Sequence, residues 1–291
     1  MPAAIAHYLQ SKDVLDKLIL MHPNLKIYTP AFLWGTQGPD FLLSHNRLPF
    51  QKGKSINKSG IFIQDKSTNE LLKIIDNYLK DHILDTVTLS YILGLICHFE
   101  LDKCAIDFIN YSSETLTNVL NKDKKVCRNQ IKSSLDIILL RYKRQQLPSE
   151  INLKKLIPND GKTEDFIINF YYDILSKNYQ KDVTREQLYD ATCDFRKLFS
   201  LMNDRTGLKK KFVKKMEKWQ GKSEYASSLI RSLTEDDDFD YANTLHLEWK
   251  WPIDSGKIRT DSFFDIYNES IEKSLNVINQ LFINDLILLK A

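Results

Sequence analysis

His98 and Asp102 stand four residues apart inside VTLSYILGLICHFELDKCAIDFIN, residues 87–110. In a helix that spacing puts both side chains on one face, one turn apart. The stretch is otherwise apolar at helical spacing and has no proline. An imidazole and a carboxylate on such a helix are costly to bury unless they pair or hold a metal ion. Two readings follow from these residues alone: a core histidine paired with its carboxylate, or two ligands of a metal site.

Other residues could join them. In PAFLWGTQGPDFLLSHNRLP, residues 30–49, Asp40 follows Gly38-Pro39 and His45 lies five residues later. A tight Gly/Pro segment carrying Asp and His among apolar residues is a place where sites are built. The alternative is that Asp40 caps a short helix starting at Phe41. His7 lies near the start of a first helix. His22 and His82 read as surface residues, and His246 as packing near Trp249 and Trp251. The run from Lys209 to Lys218 reads as the solvated face of an amphipathic helix, with Phe212, Val213, Met216 and Trp219 on one side. Its minority reading is contact with anionic lipid head groups or nucleic acid.

The elements that position these residues read as helices. Nine glycines and eight prolines in 291 residues, with few alternating runs, point to an all-α chain. Helices are expected over 4–21, 67–80, 87–110, 113–121, 123–146, 184–205, 207–233 and 262–289, with two short ones around Pro158-Asn159-Asp160-Gly161. Ser67 or Thr68 caps the second, with Glu70 in its first turn. The acidic run Glu235–Asp238 reads as a loop. There is no internal repeat and no composition shift, so the expectation is one domain over 1–291, a single-domain helical bundle.

Hydrophobic residues make up 43% and charged residues 27%, enough for a substantial core. A net charge of +3 is small for this length and argues against a dedicated nucleic-acid binder. Cys97, Cys104, Cys127 and Cys193 lack CxxC spacing and suit a reducing compartment. The N-terminal stretch has no secretory pattern, and no apolar run reaches the ~20 residues that span a bilayer. The expectation is a cytoplasmic protein with no transmembrane segment.

Four motifs in order then carry a resemblance: MP-x-x-x-x-HYL, WGxQGPD, G-x-x-CH-x-x-x-D, and the C-terminal HLEWKWPIDSGKIRTDSFFDIYNESIEKSL. Together they resemble the zinc-dependent phospholipase C family in its intracellular bacterial branch, across nearly the whole chain. The resemblance implies a compact all-α domain whose helices surround up to three zinc ions. It also implies hydrolysis of a phosphodiester on the glycerol side of a diacylglycerol lipid. By this resemblance His7, Asp40, His98 and Asp102 are metal ligands, with Asp40 also the activator of water. His45 and Gln64 are auxiliary candidates, Gln64 standing where the family has a histidine. The next ligand position of the central helix falls on Ile106. Two more on the following helix fall on Arg128 and Lys132, with Asp136 retained.

Isoleucine cannot bind zinc, and arginine and lysine repel it. The remaining set implies one zinc ion or none. Arg128 and Lys132 can stand in for the lost cation by pairing with Asp102 or Asp107, or can bind a phosphate. Three functions are therefore expected: a phosphodiesterase with a reduced metal site acting on a phospholipid or small phosphodiester, with peripheral membrane contact; a pseudoenzyme binding a phosphate or lipid head group; or a partner-binding protein using the former metal pocket. No nucleic acid is expected.

Overall fold

The computed structural model describes residues 4–47, 51, 53–234, 239–253 and 257–283. The acidic run 235–238 and the stretch 284–289 of the closing helix lie outside them. The described residues form an all-α fold. In chain order the helices are α1 (Ala4–Met21), α2 (Thr29–Thr36), α3 (Asp40–Ser44), α4 (Asn57–Gln64), α5 (Thr68–Asp81) and α6 (Thr86–Leu120). They continue with α7 (Lys124–Arg144), α8 (Gly161–Tyr172), α9 (Arg185–Met202), α10 (Leu208–Trp219), α11 (Tyr225–Ser228) and α12 (Phe263–Ile283). Among the described residues, β pairing is confined to an isolated bridge between Trp249 and Arg259. No described helix is long and apolar enough to cross a membrane.

Helix α6 is the axis. From Val87 to Leu101 every side chain is buried, because α1, α2, α7 and α12 pack around it. Asp85 starts it by accepting the Thr88 N–H at 2.8 Å, and Asn121 ends it in the left-handed conformation. The helix break expected at Ser113 is absent. The hydroxyls that look like a cap signal instead donate one turn back, Thr115 to the Tyr111 carbonyl at 3.0 Å and Thr117 to Ser113 at 2.7 Å, with Ser113 bonded to Ile109.

Residues 30–47 of the tight Gly/Pro segment hold two short helices, α2 and α3, joined by a turn. Pro30 opens α2, where its missing N–H costs nothing. α2 lies against α6 at a glycine crossing. A Cβ on Gly94 would stand 2.5 Å from the Phe32 carbonyl oxygen and 2.8 Å from the Thr36 nitrogen, both backbone atoms that cannot step aside. Gly94→Ala is expected to lower stability by about 1–3 kcal/mol or more through overpacking, read as a shifted urea midpoint. An unchanged midpoint would show that the crossing is looser than drawn.

Two further expectations are corrected. Asp40 does not precede a helix beginning at Phe41; it is itself the first residue of α3, with Pro39 before it. The helix expected over 207–233 breaks after Trp219, where Gly221 takes a φ of +63°, and resumes as the short α11. The Ser67–Glu70 capping box forms as expected, and holds the Glu70 carboxyl down at about 2, chiefly through the Ser67 N–H and hydroxyl.

Candidate metal centre

Four elements deliver the site. His7 sits in the second turn of α1, and two contacts hold that helix start in place. The Ala6 N–H donates to Asp136 Oδ1 of α7 at 2.7 Å, and Gln37 Nε2 donates to the Ala4 carbonyl at 3.1 Å. Asp136 is fully buried and its other oxygen accepts from Arg231, whose Nε lies at 2.7 Å. The aspartate that the resemblance retains among the following helix's ligand positions is thus occupied in fastening α1 to α7. His98 and Asp102 come from α6, and the α2–α3 turn covers them. Gly38 in that turn has φ +54°, and a Cβ there would collide with the His98 ring.

His7, His98 and Asp102 converge. Their ligand atoms all lie within 4.8 Å of one another. His7 Nε2 is 3.3 Å from Asp102 Oδ1, His98 Nε2 is 3.4 Å from Asp102 Oδ2, and the two imidazoles stack at 4.3 Å between centroids. Two atoms bound tetrahedrally to zinc at about 2.0–2.1 Å stand ~3.3 Å apart, which each His–Asp102 distance matches; the wider spread of the set means the three side chains would draw together around a single ion.

The protonation pattern supports the fit. His98 Nδ1 is 3.2 Å from the Thr36 carbonyl, which can only accept, so Nδ1 carries the proton. Burial and the neighbouring His7 push His98 down to about 4, against the pull of Asp102 and Asp40, so the ring is neutral near pH 7. Its buried Nε2, which makes no hydrogen bond, then aims a lone pair at the Asp102 carboxylate. Burial raises the Asp102 carboxyl, but a proton on His98, with His7 and Lys132 adding to it, outweighs this and holds it well below its ordinary value, so His98 and Asp102 titrate as a pair. A cation between the two, either a proton on Nε2 or a metal ion, satisfies both atoms. The buried Nδ1 of His7 also has no partner.

A cavity of about 290 Å³ opens on this cluster. His7 and Asp102 line it, with Asp40, Gln64, Arg128 and Lys132. Asp40 stands outside the three-ligand cluster; it accepts from Gln64 Nε2 on the same cavity wall. Ile106 also faces the cavity and brings no donor atom. Arg128 donates to Asn110 Oδ1 rather than to Asp102. Burial draws the Arg128 guanidinium down and Asp102 opposes this. Lys132 is drawn down in the same way, by burial first, with Asp102, Asp40 and Asp136 opposing. One wall is therefore imidazole and carboxylate, and another is cationic.

His45 is not among the cavity-lining residues. It is buried, and its Nδ1 accepts the Ile56 N–H at 3.2 Å. His246 is exposed rather than packed, with Nδ1 3.0 Å from the Thr260 carbonyl. Sequence reasoning missed Gln37, Arg231 and the Thr36 carbonyl. Only Gln37 left a trace, as the third-last residue before Asp40 in WGTQGPD. Comparisons of the chain with protein-family models, with curated proteins and with solved structures find no match.

Proposed function

We propose that the protein is a phosphodiesterase resembling the zinc-dependent phospholipases C, working with one zinc ion on a phospholipid or a smaller phosphodiester. The observation that carries this reading is the convergence of His7, His98 and Asp102 beside a cavity that Arg128 and Lys132 also line. His7, His98 and Asp102 would hold the ion. Bound there, zinc supplies Lewis acidity toward a phosphoryl oxygen and acidifies water. Arg128, anchored by Asn110, and Lys132 take up the negative charge of the phosphate. Gln64 orients the Asp40 carboxylate, which takes a proton from the attacking water as its oxygen bonds to phosphorus; the P–O bond to the glycerol side breaks, and the proton passes on to the departing alkoxide. Ile106, Arg128 and Lys132 stand where the resemblance implies ligands of further ions, and none of the three supplies one. The free cysteines suit a cytoplasmic location, with contact to the membrane from one side.

A second reading keeps the pocket and drops the chemistry: a protein that binds a phosphate or a lipid head group. The two cations on the cavity wall favour it, because they attract a phosphate with or without a metal. Hydrolysis of a chromogenic phosphocholine ester separates the two. The zinc-loaded protein is expected to hydrolyse the ester, and Arg128→Gln to raise KM about 10–100-fold through loss of a charge-assisted bond. Turnover no faster than that of chelated protein, with phosphocholine still bound in calorimetry, would overturn hydrolysis and leave the binding reading.

A further inference from the structure

Helix α10 is turned inside out. Leu208, Phe212, Met216 and Trp219 fall within an arc of about 80° at 100° per residue. An amphipathic surface helix points such an arc at the core. Here Phe212 is 66% exposed, Leu208 67% and Trp219 81%, and Met216 is exposed as well. The side turned inward is polar. Glu217 is the buried residue of the helix, and its carboxylate accepts the N–H groups of Ala226 at 2.6 Å and Ser227 at 3.1 Å, the first turn of α11. Lys209 donates to the Ser200 and Asn203 carbonyls at 3.0 and 2.9 Å. Lys214 pairs with Glu224 at 3.1 Å. The helix is thus fastened by its polar side, with its apolar side held outward.

The remaining lysines decide what that side meets. Lys211, Lys215 and Lys218 are exposed along one edge of the apolar arc and make no ion pair among the described residues. Lysine is depleted from protein–protein interfaces, whereas large apolar side chains beside lysines suit the headgroup boundary of a bilayer. We propose that α10 is an interfacial helix that seats Leu208, Phe212, Met216 and Trp219 in an anionic lipid surface, with Lys211, Lys215 and Lys218 on the lipid phosphates. This deepens the lipid-hydrolase reading and rests on it for its purpose, but the contact itself needs neither the metal nor the cavity.

The test is co-sedimentation of the full chain, with chelator present, on vesicles of phosphatidylcholine alone or mixed with phosphatidylserine. Binding is expected on the mixed vesicles and is weakened by salt. Phe212→Ser with Trp219→Ser is expected to weaken it more than ~10-fold. Lys211→Gln, Lys215→Gln and Lys218→Gln together are expected to weaken it ~100-fold, about fivefold for each lysine near an anionic surface. All five side chains are exposed, and an unchanged thermal midpoint shows that the variants fold. Absence of binding by the unaltered chain, or equal binding by the variants, would overturn the proposal. So would a lipid-free dimer that Phe212→Ser with Trp219→Ser dissolves, since a second copy would then cover the face. Chelation keeps this result separate from hydrolysis: vesicle binding without turnover, or turnover without vesicle binding, tells which reading fails.

Discussion

Asp102→Asn is expected to lower zinc affinity by more than ~100-fold. Changes to residues that merely orient ligands cost about 10–100-fold, and this change removes a ligand charge. The amide keeps the carboxylate's shape but not its charge, and Asp102 is the residue that both His7 and His98 face. The measurement is thermal or chemical stability with and without zinc. At zinc about 100 times the dissociation constant, the unaltered protein gains ~2.7 kcal/mol; a variant binding 100-fold more weakly gains about 0.4 kcal/mol. Equal zinc stabilisation of both proteins would show that the ion, if bound, does not use Asp102.

The second large effect lies beneath the site. Asp136→Ala leaves Arg231 buried without its counter-charge and the Ala6 N–H without an acceptor. Breaking a buried pair from one side costs about 3–5 kcal/mol, and that loss is expected here. Because Asp136 also fixes the helix start that carries His7, zinc affinity is expected to fall with stability. Replacing both partners, Asp136→Leu with Arg231→Met, removes the stranded charge and is expected to recover much of the stability but not the position of α1. A single-variant loss under ~1 kcal/mol in urea denaturation, the range of a surface pair, would contradict this assignment.

Much of the local structure was legible because its causes are local. The apolar face of residues 4–21 and the Ser67–Glu70 capping box need only their own neighbours, and both helices form where the pattern puts them. Ser113 misled because a serine hydroxyl offers the backbone either a cap or a bond back to the preceding turn, and only the packing of α6 selects the second. The Gly/Pro segment from residue 30 misled because Gly35 looks like a turn residue; it is helical, and its lack of a side chain serves the crossing with Gly94. Lys211, Lys215 and Lys218 of α10 are exposed as read; that the apolar side is exposed too was not legible, because periodicity tells which residues share a side, not which side meets solvent.

The site was legible to a different degree. The resemblance placed His7, His98 and Asp102 in one set, and these three meet. It also placed Asp40, Gln64, Ile106, Arg128 and Lys132 around them, and all five line the same cavity. Spacing within α6 alone joined only His98 and Asp102; nothing local ties them to His7, some ninety residues earlier in the chain. The pair Asp136–Arg231 was invisible for the same reason, its members being 95 residues apart. The Thr36 carbonyl, which fixes the His98 tautomer, is a backbone atom and carries no sequence signal at all.

The most direct measurement is the zinc content of the purified protein after zinc loading and desalting, set beside His7→Ala with His98→Ala. One ion per chain in the unaltered protein and none in the double variant is the predicted result. No zinc in the unaltered protein, or one ion retained by the double variant, would contradict a metal centre at His7, His98 and Asp102.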